Sequence, residues 1–104
     1  MKVWLDDLRL EPEGWVRCHT PDDVISLLQT GQVVEISLDH DLGLLDGERE
    51  QTGYNVLLWI EQQVAMAGFK PPIMRVHSAN TVAHDRMLAA IKSIDRLAEE
   101  GKQP

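Results

Sequence analysis

Acidic side chains follow two short apolar segments of this sequence. Asp6 and Asp7 come directly after residues 3–5, and Asp39 comes directly after residues 33–38. Burying unpaired carboxylates inside strands is costly, so these strand ends should open onto a shared site that is wet or holds a metal. Clustered carboxylates raise one another's pKa unless a cation neutralises them, and oxygen-rich sites suit Mg²⁺ or Mn²⁺. The three aspartates are therefore the predicted ligands of a divalent metal.

Imidazole groups beside these carboxylates indicate proton transfer. His40 and Asp41 follow Asp39, and His77 follows the apolar run 73–76. Because side chains alternate along a strand, Asp39 and Asp41 are expected on one face and His40 on the other, where it either takes part in acid–base catalysis or only packs. His77 could protonate a leaving oxygen or bind the metal. We take His77, His40 and Asp41 as the candidate catalytic residues.

Candidate phosphate ligands lie next to these groups in the sequence. Arg9 can donate two parallel hydrogen bonds to a phosphate, or it can simply neutralise Asp7. Ser78 can donate a hydrogen bond to phosphate, and Asn80 begins a predicted helix whose free amide groups can hold an anion. Thr52, the predicted cap of another helix, completes the candidate substrate-binding set.

The segments that position these side chains follow the order β-β-α-β-α-β-α. Strands are predicted over residues 2–6, 15–18, 33–38 and 73–76, with helices beginning after Thr20, Thr52 and Asn80. Strands separated by helices favour parallel pairing with right-handed crossovers. The predicted fold is α/β, with a four-stranded parallel sheet and three helices. A strand order of 2-1-3-4 would place the ends of strands one and three side by side and unite the aspartates.

Other segments carry more limited predictions. Residues 43–53 are polar and acidic, contain the turn signal Asp46-Gly47, and are predicted to form a mobile lid. The three tryptophans are interpreted as core residues rather than base-stacking surfaces; they are Trp4, Trp15 and Trp59. The predicted buried stripe of the last helix consists of His84, Met87, Leu88, Ile91, Ile94 and Ala98.

Length and charge limit the classes of function. The 104 residues predict one domain, residues 1–104, with a frayed tail from about residue 99. The net charge of −7 argues against broad binding to nucleic-acid backbones, although not against a nucleotide or RNA end held through a metal. Cys18 is the only cysteine, which excludes an intramolecular disulfide. The sequence has no signal-peptide pattern and no apolar stretch of ~18 residues, so we expect a cytoplasmic protein that does not bind membranes.

Three parts of the sequence resemble the receiver domain of response regulators, which has a flavodoxin-like, three-layer fold. Asp6-Asp7 matches the acidic metal-binding pair of receivers, Asp39 matches their phospho-accepting aspartate, and residues 76–79 match the strand end that carries the switch Ser/Thr. Two features depart from that pattern: residues 8–14 replace the first helix, and a fifth strand with its phosphate-contacting lysine is missing. Receiver-style phosphorylation is therefore not expected.

A narrower resemblance, to the cyclic-phosphate-processing receiver-like family, covers nearly the whole chain. The matching blocks are residues 5–15, 37–43, 52–60 and 77–80. The resemblance implies a degenerate receiver fold that has been turned to phosphoester chemistry. Ala83-His84 departs from this resemblance, because a glycine is expected there, and the role of His84 stays open.

These observations lead to three hypotheses about function. The first is a metal-assisted phosphoesterase, with Mg²⁺ or Mn²⁺, that acts on a cyclic or terminal phosphate of a nucleotide or RNA end. The second is a non-catalytic, receiver-derived module that binds a metal or a phosphorylated ligand and signals to a partner. The third is a protein that sequesters a cyclic nucleotide without cleaving it.

Overall fold

The main sheet has the predicted strand order. The computed structural model describes residues 1–46 and 49–101. Its elements are β1 (Lys2–Leu5), β2 (Trp15–Cys18), α1 (Pro21–Leu28), β3 (Glu35–Leu38), β4 (Asp41–Asp46), β5 (Arg49–Thr52), α2 (Gly53–Ala67), β6 (Ile73–Val76) and α3 (Thr81–Glu100). The four parallel strands are arranged β2-β1-β3-β6, which is the order 2-1-3-4 when only the strands of this sheet are counted. The fold is therefore α/β and receiver-like, as predicted.

All three helices lie on one face of this sheet. α2 packs against both α1 and α3, and the helices share one hydrophobic core with alternate strand residues such as Val3, Leu5 and Ile36. The intervening positions, such as Trp4 and Ser37, point to the opposite face. The structure thus has two layers where three were expected, because residues 8–14 form a loop instead of a helix and one helix alone follows β6 in the described residues.

The sheet face without helices, which we call the open face, carries aromatic packing of its own. Trp4 stacks on His77 with ring centroids 3.7 Å apart and planes 3° apart, and it meets Trp15 edge-on at 5.9 Å. The Trp4 indole N–H donates to the carbonyl of Arg9, in the loop after β1. Trp4 and Trp15 therefore lie outside the core, so the prediction for them was wrong. Trp59 packs against the core as predicted.

The segment predicted as a lid forms a β-hairpin instead. β4 and β5 pair in antiparallel fashion, with an irregularity between Asp41 and Leu44. Gly43 lies within it and has a φ of +63°, a conformation that favours glycine. Leu42 is 2% exposed and belongs to the core, which anchors the hairpin to the rest of the fold. Gly47, part of the predicted turn, lies outside the described residues.

The helices begin where the sequence predicts. Their cap side chains accept backbone N–H groups, in the pairs Thr20–Asp23, Thr52–Tyr54 and Asn80–Ala83. α3 continues through Glu100, and its buried stripe includes Ala83 but not Leu88, which is 40% exposed. Leu88 directly follows the buried Met87, and one helical step of 100° turns it away from the core. Among the described helices, none combines the length and apolar character needed to cross a membrane.

Candidate functional site

The carboxyl edge of the parallel sheet brings the three predicted metal ligands together. Leu5 pairs with Leu38 in the sheet, so the residues that follow the two strands leave the edge side by side. Asp6, Asp7 and Asp39 each offer a carboxylate oxygen, and these oxygens lie within 4.8 Å of one another. We call these three residues the acidic cluster. Its formation agrees with the prediction made from strand order.

Asp6 is the most constrained member of the acidic cluster. It is 1% exposed; its Oδ1 accepts backbone N–H groups from Leu8 and Arg9 at 2.8 Å, and its Oδ2 lies 3.0 Å from His77 Nε2. Burial acts to raise the pKa of Asp6, but the two backbone hydrogen bonds and the contact with His77 outweigh burial and lower it. Asp6 is therefore a carboxylate at neutral pH, held in one orientation.

Asp39 is the member of the acidic cluster whose negative charge is electrostatically unfavourable in the folded protein. Burial and the charges of Asp6 and Asp7 raise the pKa of Asp39, against the effect of a hydrogen bond from the backbone N–H of His40. A cation bound among these carboxylates would remove that cost. An all-carboxylate donor set with lone pairs to spare fits Mg²⁺ or Mn²⁺. When bound, such an ion supplies charge neutralisation for a substrate phosphate.

His77 is bonded inside the protein through both ring nitrogens. Nδ1 lies 2.7 Å from Ser37 Oγ and Nε2 lies 3.0 Å from Asp6 Oδ2. Burial lowers the pKa of His77 despite the neighbouring Asp6, so the ring is neutral at pH 7. Because Asp6 is ionised, the consistent tautomer donates Nε2–H to Asp6 and accepts the hydroxyl hydrogen of Ser37. This geometry suits a residue that orients Asp6 better than one that protonates a leaving oxygen.

His40 and Asp41 form a pair on the other side of the edge. His40 Nδ1 lies 2.7 Å from Asp41 Oδ1, and the His40 side chain is 20% exposed. His40 lines a cavity on the helix side of the sheet, together with Thr52 and Ala83. The alternation expected of a continuing strand does not apply to residues 39–41, because β3 ends at Leu38 and the His40 side chain meets that of Asp41. Within residues 1–43 and 49–101 the His40 Nε2 has no hydrogen-bond partner. A carboxylate that holds Nδ1–H leaves Nε2 ready to accept a proton, which is the arrangement of a general base.

The four predicted phosphate ligands lie at this edge, and each already has a structural contact. Arg9 Nη1 donates to the carbonyl of His77 at 3.1 Å. Ser78 Oγ accepts the backbone N–H of Asn80 at 3.1 Å, whereas the side chains of Asn80 and Thr52 cap their own helices. The groups still able to donate to a phosphate are the Ser78 hydroxyl hydrogen, the side-chain amide N–H groups of Asn80 and the remaining guanidinium N–H groups of Arg9.

A comparison with protein families identifies this arrangement. The family model described as Cyclic-phosphate processing Receiver domain matches residues 1–93. The chain belongs to the cyclic-phosphate processing receiver domain family. No curated protein and no solved structure matches it. The matched range contains the whole parallel sheet and every candidate site residue, so the resemblance inferred from the sequence is confirmed.

This receiver domain keeps lysines away from the acidic cluster. Lys2 and Lys70 lie at the amino ends of strands, with the Lys2 ammonium 5.6 Å from the ring centroid of Trp15. Lys92 lies in the middle of α3. Among the described residues, therefore, no lysine stands at the carboxyl edge where a receiver would use one to contact an acyl phosphate.

Sequence reasoning missed three residues of the receiver domain's site. Ser37, which bonds His77, could have been found from alternation, since it points to the same face as Trp4. Tyr54 and Arg86, which line the cavity beside His40, lie on two different helices and carry no local motif. Another cavity, of about 610 Å³, lies at the opposite edge of the sheet and is lined by none of the candidate site residues.

Proposed function

We propose that this receiver domain is a metal-assisted phosphoesterase that hydrolyses a cyclic or terminal phosphate of a nucleotide or RNA end. The observation that carries the proposal is the placement of the His40–Asp41 pair directly after Asp39 of the acidic cluster, at one sheet edge. Carboxylates that suit a divalent metal and an imidazole with a free nitrogen are the two components that phosphoester hydrolysis needs. The family description, cyclic-phosphate processing, supports the same reaction class.

Metal binding and proton transfer would be carried out by different side chains. Asp6, Asp7 and Asp39 would hold the metal, with His77 orienting Asp6. His40 Nε2 would accept a proton from the attacking water, or return one to the leaving oxygen as a P–O bond breaks. Asp41 would hold the imidazole in the tautomer that this transfer requires.

Arg9 and Ser78 would bind the phosphate through the donors that they keep free. Thr52 and Asn80 would place the amino ends of α2 and α3 towards it. A cytoplasmic location and a single domain over residues 1–104 stay predictions.

Hydrolysis of adenosine 2′,3′-cyclic phosphate in the presence of Mg²⁺ or Mn²⁺ tests the proposal. We expect a phosphomonoester product, detected by ³¹P NMR. His40→Gln should lower kcat by about 10²–10⁴-fold, the usual contribution of a positioned acid or base. His19→Gln, at an exposed histidine, is the control and should keep full activity. Absence of turnover on cyclic mono- and dinucleotides, with metal bound, would contradict the proposal.

The alternative is a non-catalytic module that uses the acidic cluster only to bind a metal or a phosphorylated ligand. The acidic cluster favours it, since receivers bind their metal with such carboxylates. Incubation with acetyl phosphate separates the two functions: a stable adduct on Asp39 would support signalling. A ligand that binds without forming product would support sequestration instead.

A further inference from the structure

The cavity beside His40 combines an aromatic ring with a guanidinium group. Its volume is about 200 Å³, and its lining consists of His40, Thr52, Tyr54, Ala83 and Arg86. The residues come from the carboxyl edge of the sheet and from the first turns of α2 and α3. The cavity therefore opens next to the nitrogen that the proposed reaction uses.

The close approach of α2 to the sheet creates this cavity. The Gly53 backbone N–H donates to the carbonyl of His40 at 3.3 Å, and a Cβ on Gly53 would overlap the carbonyl oxygen of Asp39. This approach fixes the next residue, Tyr54, close to His40. A ligand group in the cavity would consequently lie against Tyr54 whenever its phosphate reaches the acidic cluster.

Tyr54 and Arg86 together form a surface suited to a flat ring. The Arg86 guanidinium carbon lies 5.6 Å from the Tyr54 ring centroid, and the half-buried Tyr54 packs partly against the core. Arg86 is exposed and makes no ion pair with residues 1–43 or 49–101. Nucleobases stack on aromatic side chains and on guanidinium planes.

The charge and the size of the cavity also favour a nucleobase as its occupant. Its lining contains no carboxylate among the described residues, although Asp39 of the acidic cluster directly precedes His40 in the chain. A cavity of about 200 Å³ is smaller than the ~300–1,000 Å³ that encloses a whole small ligand. It therefore suits one ring system of a ligand whose charged part lies outside it.

We propose that this cavity is the nucleobase subsite of the protein, with Tyr54 as the stacking surface and Arg86 as the cation beside it. The inference rests on the proposed function, because the phosphate at the acidic cluster is what brings the base to the cavity. It makes the substrate a nucleoside phosphoester, in preference to the cyclic phosphate of a simple polyol.

A pair of substrates tests the subsite. Adenosine 2′,3′-cyclic phosphate and glycerol 1,2-cyclic phosphate share the reacting ring, but only the first has a base. Tyr54→Leu, which keeps an apolar side chain against the core, should lower kcat/KM for the nucleotide by about 5- to 100-fold, the range expected when one base loses its stacking. Arg86→Gln should act in the same direction. Both variants should leave kcat/KM for the glycerol compound unchanged, as should Arg96→Gln, at an exposed arginine of α3, for both substrates.

A binding measurement separates this inference from the proposed function. 2-Aminopurine riboside 3′-monophosphate loses fluorescence when its base stacks, so the wild-type protein with Mg²⁺ should quench it and Tyr54→Leu should not. Quenching of the 2-aminopurine fluorescence without any hydrolysis of adenosine 2′,3′-cyclic phosphate would support the subsite and overturn the proposed function. Hydrolysis with equal losses on both substrates, or quenching that survives Tyr54→Leu, would overturn the subsite.

Discussion

At the scale of single residues, the contacts of His77 favour a positioning role over the catalytic role predicted from the sequence. Its two ring nitrogens are bonded to Ser37 and Asp6, and its ring is stacked on Trp4. These contacts fix the ring from three directions and leave no free nitrogen for substrate. Ser37 is 5% exposed. Water therefore cannot replace His77 as the hydrogen-bond partner of the Ser37 hydroxyl without a cost in free energy.

We expect Ser37→Ala to weaken metal binding through His77. The variant leaves Nδ1 without its donor, which frees the ring to turn away from Asp6. Loss of a group that orients a metal ligand typically lowers metal affinity about 10- to 100-fold, and an unpaired buried nitrogen costs about 1–3 kcal/mol of unfolding free energy.

Titration with Mn²⁺ and urea unfolding measure the two effects of Ser37→Ala. Ser37→Thr, which keeps the hydroxyl, should restore much of the affinity, whereas Ser93→Ala, at an exposed serine of α3, should leave affinity and stability unchanged. Wild-type Mn²⁺ affinity in Ser37→Ala would show that His77 does not position Asp6.

At this scale, the sequence predicted only part of the site. The acidic cluster followed from the strand ends and the strand order, whereas alternation did not describe residues 39–41, because β3 ends at Leu38. The contacts of Ser37 and Arg86 did not follow, because each depends on a partner more than 30 residues away in the chain: Ser37 on His77 and Arg86 on Tyr54.

At the scale of elements, the hairpin and the tryptophans were the main surprises. Residues 43–53 are polar and acidic and were therefore predicted to form a lid, although residues 41–46 and 49–52 pair as β4 and β5. Trp4 and Trp15 were predicted to be core residues because they are large and apolar. Their registers with Ser37 and with Lys2 put them on the open face instead.

The junction between β3 and α2 makes a prediction at this scale. Gly53→Ala should force apart Asp39 and the start of α2, because its Cβ would overlap the Asp39 carbonyl oxygen and lie 3.1 Å from Met87 Cε. Overpacking of this kind typically costs about 1–3 kcal/mol of unfolding free energy. The shift of Asp39 should also lower metal affinity.

Urea unfolding and Mn²⁺ titration check the Gly53 prediction. Gly101→Ala is the matched control, since an added Cβ there meets nothing closer than 3.6 Å and the φ of −66° suits alanine. If Gly53→Ala were as stable as Gly101→Ala and bound metal normally, the close approach of α2 to Asp39 would not matter.

At the scale of the whole molecule, the order of strands and helices along the chain predicted the sheet correctly but did not predict the number of layers. Alternating strands and helices predicted parallel pairing with right-handed crossovers. The order 2-1-3-4, observed as β2-β1-β3-β6, was predicted because it unites the aspartates. The expectation of three layers came from the resemblance to receivers. Residues 8–14 form a loop where receivers have their first helix, and the described helices all lie on the other face of the sheet.

The molecular consequence of this topology is an acidic cluster inside a chain of net charge −7. The pKa of Asp39 is raised in the folded state, so the folded protein binds a proton there more tightly than the unfolded chain does. Without metal, the contribution of Asp39 to the unfolding free energy therefore falls as the pH rises from about 3.8 through the raised pKa. At neutral pH a divalent cation, or removal of the charge, should restore it.

Thermal unfolding at pH 7 with and without Mg²⁺, on the wild type and on Asp39→Asn, tests the central claim most directly. At a metal concentration about 100 times Kd, binding adds about 2.7 kcal/mol, which raises Tm by about 10 °C or more in a domain of this size. We predict that rise for the wild type and for Asp95→Asn, whereas Asp39→Asn should have a higher metal-free Tm and no metal-dependent rise. A wild-type Tm that ignores Mg²⁺ and Mn²⁺, or an undiminished rise in Asp39→Asn, would contradict a metal site built from Asp6, Asp7 and Asp39.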